Sequence, residues 1–333
     1  MDSLFSEKDK FPLPPLPTFI NHQWNVKDME QIIHIESISQ VYSYFHAKMP
    51  PHPLITLIRR WPKTGLDLIR ARFTSDLYLI AMKREISGSF QYGRSSYDFQ
   101  EGTMVFMGPG QVANFSHSPL KADKETPSQG WTMLFHPDLI RKSELGKMIY
   151  KYSFFSYDTN EALHLSEKER LFINTLVDTI DEEIHQNMDR HSQELIVQNL
   201  ETILKYSNRY YDRQFYTRTN MNKDFVSRFE QFLKVYFASN KLTNQGMPTL
   251  DQCGEALNMS GSYLSDLLRM ETGRSAKDHI HGYLIEQAKT ILLNSPDSVS
   301  QVAFTLGFDY PQNFSKLFKS KTGMSPSEYR NPN

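Results

Sequence analysis

The chain has 333 residues, 39% of them hydrophobic and 23% charged, with a formal net charge of −1; this is the make-up of an ordinary water-soluble protein long enough for two domains. Its single cysteine, Cys253, excludes an internal disulfide and a cysteine-based zinc cluster. No apolar run has the length of a signal peptide or a membrane span, which predicts a cytoplasmic protein with no membrane partner.

Residues 1–20 are charged and then proline-rich (Phe11-Pro12-Leu13-Pro14-Pro15-Leu16-Pro17), the composition of a flexible start followed by an extended arm. Between 21 and 137, short alternating runs are separated by Gly, Pro and Asp turns. The clearest are 77–82, 88–93, 97–99, 103–107 and 131–135, a spacing that predicts a small β-barrel or jelly roll. Asp98-Phe99-Gln100-Glu101-Gly102 followed by Met107-Gly108-Pro109-Gly110-Gln111 resembles the second half of a cupin barrel. Many cupins are metal enzymes that use a His-x-His pair, a Glu shortly after and a third His past the Pro-Gly turn. Here no His lies between Phe90 and Tyr97, and Gln111-Val112-Ala113-Asn114 follows the turn, leaving His117 on its own. A transition metal wants three or more converging ligands, so no metal and no other cofactor is expected. Nor does a nucleophile motif such as Gly-x-Ser-x-Gly support catalysis. A binding barrel remains. Tyr78, Tyr92, Phe106 and Trp131 are its candidate ligand-binding walls, with Phe90, Tyr97 and Phe115 beside them. The alternative for each is an aromatic that simply fills the barrel.

From Ser166 the hydrophobic period becomes helical. Ser166-Glu167-Lys168-Glu169 has the form of a capping box, and Leu171, Phe172, Thr175, Leu176, Thr179, Ile180 and Ile184 follow on one expected face. After a polar break at 187–190, a second helix carries Leu195, Ile196, Asn199, Leu200, Ile203, Leu204 and Tyr206. Such a hairpin can cover the barrel, pair with a second copy, or both. The stripes around Leu176, Ile180, Leu200 and Ile203 are the expected homodimer surface. Residues 210–221, rich in Tyr, Arg and Thr, are expected to link this 21–209 domain to a second one at 222–333.

That second domain contains one unit twice. Cys253-Gly254-Glu255-Ala256-Leu257-Asn258-Met259 matches Val302-Ala303-Phe304-Thr305-Leu306-Gly307-Phe308 at an offset of 49. Tyr263-Leu264-Ser265-Asp266-Leu267-Leu268-Arg269 matches Asn313-Phe314-Ser315-Lys316-Leu317-Phe318-Lys319 at an offset of 50, and the slip falls in the turn between them. In the second unit Ser298 is a good N-cap, and Val299, Val302, Ala303 and Leu306 make an apolar stripe. Gly307 ends the first helix, and Phe314, Leu317 and Phe318 face inward on the next. A short scaffold helix, a glycine turn and a helix with a polar outer face make a helix-turn-helix. Bulk charge adds nothing, since 222–333 holds 12 Lys/Arg against 11 Asp/Glu, so a nucleic-acid partner has to be argued from the motif.

The run from Val302-Ala303 through Gly307-Phe308, Phe314, Lys316, Phe318, Gly323, Ser325-Pro326 and Tyr329-Arg330 resembles the signature of the AraC family of bacterial transcription regulators. The resemblance covers 222–333, about a third of the chain. It implies an all-α module with two recognition helices joined by a long helix, here 279–294, with Ile280, Leu284, Ala288, Ile291 and Leu292 buried. Sixteen residues give roughly 24 Å, which could set two recognition helices in successive major grooves about 34 Å apart once helix widths are added. The residues expected at DNA are Ser262, Tyr263, Ser265, Asp266 and Arg269 on the first helix. On the second they are Gln312, Asn313, Ser315, Lys316 and Lys319.

The expected fold class is α+β in two domains: a cupin-like barrel with a helical hairpin, then a double helix-turn-helix. The expected function is sequence-specific transcription regulation, with double-stranded DNA, a second copy of the chain and a small-molecule effector as partners; contact with RNA polymerase is compatible with it. Two alternatives stay open: a constitutive DNA-binding regulator whose barrel only dimerises, and a metal-dependent cupin enzyme.

Overall fold

Strand alternation builds the centre of the amino-terminal half. The computed structural model describes residues 33–59, 72–83, 102–114, 130–158, 161–187, 189–217, 219–239 and 241–331. Its strands are β1 (Ile33–Ile35), β2 (Ile55–Ile58), β3 (Arg72–Ser75), β4 (Tyr78–Lys83), β5 (Thr103–Met107), β6 (Val112–Asn114), β7 (Trp131–Phe135) and β8 (Leu163–His164). Five of them form an antiparallel sheet in the order β2-β7-β4-β5-β8, with Ile80 opposite both Phe106 and Met133. β1, β3 and β6 form a second, three-stranded sheet. Among the described residues these are two open sheets and not the closed barrel expected from the sequence. The expected arm at 1–20, the runs 88–93 and 97–99, and Phe90, Tyr92, Tyr97, Phe115 and His117 lie outside the described residues.

In β4 successive side chains go to opposite faces. Ile80 and Met82 join a core with Met104, Met133, Ile173 and Leu200, whereas Leu79 and Ala81 join another with Ile38, Val41 and Phe73. Ile38 and Val41 come from α1 (Ile38–Tyr44), capped by Ser37. A short helix, α2 (Glu144–Met148), follows β7.

The other face of the large sheet is covered by α3 (Glu167–His185) and α4 (Ser192–Thr217). The capping box at Ser166 and Glu169 is present in both directions. The stripe is partly shifted from its expected course: Ile173, Val177, Ile180 and Ile184 point inward, while Leu171 is 53% and Phe172 38% exposed. Leu171-Phe172-Ile173 is a run of three apolar residues, so the pattern leaves open which of them faces the sheet; packing selects Ile173. Trp131 on β7 fixes the choice by donating its Nε1–H to Asn174 Oδ1 at 2.9 Å. Ile180, Leu200 and Ile203, expected at a dimer surface, are fully buried within the chain.

The expected linker is helical. Residues 210–217 are the last turns of α4, and α5 (Thr219–Ala238) follows almost at once. Its polar residues serve the sheet edge: Gln214 accepts from the His164 N–H at 2.9 Å and donates to the Ala162 carbonyl at 3.2 Å. Composition suggested a spacer because it cannot show that these side chains satisfy a strand 50 positions earlier.

The rest is helical: α6 (Lys241–Gln245), α7 (Leu250–Leu257), α8 (Gly261–Thr272), α9 (Ala276–Asn294), α10 (Val299–Thr305), α11 (Pro311–Thr322) and α12 (Pro326–Arg330). Among the described residues no helix is long and apolar enough to cross a membrane.

Candidate nucleic-acid interface

Each repeat becomes a scaffold helix, a left-handed turn and a recognition helix: α7 and α8, then α10 and α11. The repeat is deeper than the apolar positions alone. Thr249 caps α7 and Ser298 caps α10, and three residues on, Gln252 and Gln301 complete the same reciprocal capping box. The spacing Thr-x-x-Gln and Ser-x-x-Gln was a signal for it in the sequence. The turn residues are Asn258 (φ 58°) and Gly307 (φ 78°), a conformation natural to Gly and tolerated by Asn. Recognition helices α8 and α11 end at Gly273 and Gly323, both left-handed. Between the units runs α9, 19 residues or about 28 Å long, starting three residues before the expected 279; Ile280, Leu284, Ala288 and Leu292 are buried as expected, whereas Ile291 is only half-buried. Lys321 near the end of α11 pairs with Asp278 in the first turn of α9 at 3.1 Å.

On α11 the cut between core and surface is clean. Phe314 and Phe318 are fully buried. Gln312, Asn313, Lys316 and Lys319 are exposed, and Ser315 is half-buried. These side chains offer two amides and two ammonium groups on one helical face. Amides can pair with adenine edges, ammonium groups with guanine or phosphate.

The corresponding face of α8 is covered. Tyr263, at the repeat position of Asn313, is 8% exposed, with its ring 5.2 Å from Tyr157 and 5.0 Å from Phe215. Asp266, at the position of Lys316, accepts hydrogen bonds from the hydroxyls of Ser153 and Tyr157, the latter at 2.7 Å. Its other oxygen pairs with Arg269 at 2.7 Å. Burial, then the Asp266 carboxylate, pushes the Tyr157 hydroxyl far above its ordinary range, so it stays a donor. Ser260, the N-cap of α8, donates its N–H (2.6 Å) and hydroxyl (2.5 Å) to the carboxylate of Glu161. Ser262 is half-buried, and Ser265 Oγ accepts from the Ala276 N–H at 3.4 Å. Thus, of the five residues expected on this helix, Arg269 alone is exposed. Glu161, Ser153 and Tyr157 had no signal in the sequence, because their partners lie about a hundred positions away.

The remaining candidates are packed residues. Tyr78 stacks on Phe135 at 5.0 Å, Phe106 lies 4.5 Å from Phe154, and Trp131 is 3% exposed. Among the described residues no group of three His, Cys, Asp or Glu side chains converges as a metal site.

Residues 253–332 match the family described as helix-turn-helix domain. The chain is 22% identical over 256 residues to the Msm operon regulatory protein of Streptococcus mutans, covering 77% of this chain and 84% of that one. It is 33% identical over 98 residues to the transcriptional regulatory protein YesN of Bacillus subtilis, covering 29% of this chain and only 27% of that protein. Among solved structures, the carboxy-terminal domain of AraT, a response regulator from Geobacillus stearothermophilus, is 29% identical with a TM-score of 0.29, covering 33% of this chain and 85% of that one. The carboxy-terminal region is therefore a DNA-binding domain made of two helix-turn-helix units. It is of the AraC type, and the relatives that the chain matches are named as regulatory proteins.

Proposed function

We propose that the chain reads a specific DNA sequence chiefly through α11, and that its amino-terminal domain adjusts this reading in response to a small molecule. The observation that carries the proposal is the face of α11, where Gln312, Asn313, Lys316 and Lys319 are exposed above a buried Phe314 and Phe318. Gln312, Asn313 and Lys316 lie toward the amino-terminal end, which enters the major groove in this motif. Lys319 lies a turn later, where a basic group meets phosphate, and Ser315 flanks them. On α8, Ser262, Tyr263, Ser265, Asp266 and Arg269 form a second, weaker set that is available only when that helix is uncovered.

The effector would act under the sheet, where Tyr78 and Phe106 meet Phe155; a cupin-like origin for this sheet is part of the same reading. A homodimer is proposed on the outer side of the hairpin, since Leu171, Phe172 and Leu195 leave apolar surface there. The place of action is the cytoplasm, and RNA polymerase is a compatible further partner. Selection of bound duplexes from a random pool by the full chain tests the reading. A consensus whose strength depends on Asn313 and Lys316 supports it; retention of random sequence alone would refute it.

A further inference from the structure

The two recognition helices are repeats of each other, yet the molecule handles them differently. The core of the second unit, around Val302, Ala303, Phe314 and Phe318, is its own. The first unit shares a single core with the large sheet and the hairpin: Leu257, Tyr263 and Leu264 belong to the same cluster as Phe106, Met133 and Leu200. We propose that the segment 153–158, together with Glu161, is a latch, holding the first helix-turn-helix shut by occupying the face of α8 that would read DNA. This rests on the DNA-reading function proposed above.

Three observations converge on it. The covered positions are the reading positions, since Tyr263 and Asp266 correspond to Asn313 and Lys316 of α11 in the repeat. A helix cannot enter a major groove about 12 Å wide while the same side chains are held by Tyr157, Ser153 and Phe215. The cover also carries the charge of the nucleic acid. The Glu161 carboxylate sits on the Ser260 N–H and hydroxyl, at the end of α8 where phosphate would otherwise be favoured. Asp158 and Asp212 lie in the same acidic surround. DNA and this segment therefore compete for α8 and cannot share it.

The latch has a second side. Phe154 and Phe155, between its two outward hydroxyls at Ser153 and Tyr157, turn the other way and pack on Phe106 at 4.5 and 5.7 Å. The Gly108 N–H donates to the Phe155 carbonyl at 3.0 Å. A molecule wedged beside Tyr78 or Phe106 would push the segment from the sheet side and so withdraw Tyr157 from Asp266. One short element is thereby biased from both ends, as coupling between two sites requires.

The test uses the full chain and two variants, Glu161→Ala and Tyr157→Phe, singly and together, with a labelled duplex selected from a random pool by the double variant. Tyr157→Phe keeps the ring and hence the packing, so release can be read even if Glu161→Ala disturbs the loop. The expected result is a gain in affinity of about tenfold or more, within the usual range of allosteric couplings, together with a footprint that lengthens by one half-site. In wild type, saturation with that duplex should speed amide exchange in 153–158 while slowing it in α8. Equal affinity, equal footprint and unchanged exchange on a duplex that is bound specifically would overturn the latch alone. Failure of every chain to select any specific duplex would overturn the DNA-reading function and the latch with it.

Discussion

A side-chain carbon placed on Gly254 would lie 2.4 Å from the carbonyl oxygen of Met259. The same carbonyl-bearing turn is bridged in both units by one bond, Met259 N–H to Gly254 O and Phe308 N–H to Ala303 O, each 3.0 Å. The first unit closes its turn more tightly, so it accepts no Cβ where the second holds a buried alanine. Gly254→Ala should therefore destabilise the first unit by roughly 1–3 kcal/mol, the usual cost of overpacking. Thermal or urea unfolding checks this, and a Gly254→Ala chain as stable as wild type would contradict it.

Glu161 predicts a pH dependence. Burial holds its carboxyl above the ordinary range, against the downward pull of the Ser260 hydroxyl and N–H and of the Asp158 N–H, while the Asp158 charge adds the smallest, upward push. The latched form thus binds a proton more tightly than an open form in which Glu161 meets water. Acid favours the latch, and its hold weakens as pH rises from the ordinary carboxylate value through the raised one. DNA affinity of wild type should rise across that window more steeply than that of Glu161→Ala. Parallel pH profiles for the two chains would show that Glu161 is not involved.

Cys253 is fully buried on α7, and burial pushes its thiol up to about 12. A thiol in that state carries almost no thiolate at neutral pH and is chemically inert. Reaction with a maleimide should proceed only as fast as the first unit opens, and denaturant should speed it greatly. Rapid labelling of the native chain would contradict the packing of α7 against α8.

Much of the carboxy-terminal half was legible because its instructions are local. The caps at Ser298 and Ser166, the left-handed Gly307 and the i, i+3, i+4 spacing of Phe314, Leu317 and Phe318 act within a few residues. The duplication of the unit then removed ambiguity that either copy alone would have left. The amino-terminal half was less legible because its decisive contacts are distant. Nothing near Gln214 says that it finishes the edge at His164, and nothing near Glu161 points to Ser260. The outward look of Tyr263 and Asp266 in the repeat was sound local reasoning, overridden by a surface that the pattern of α8 does not encode.

The most direct test of the central claim is a salt-resolved binding titration of the full chain on its selected duplex and on a scrambled one. If α11 lies in the groove as proposed, Asn313→Ala and Lys316→Ala each cost roughly 1–3 kcal/mol on the selected site and relax the preference at one or two base pairs. Lys319→Ala then weakens both duplexes alike and lowers the salt slope by about one unit. If instead Lys319→Ala alters sequence preference while Asn313→Ala and Lys316→Ala leave it intact, α11 does not read DNA through this face.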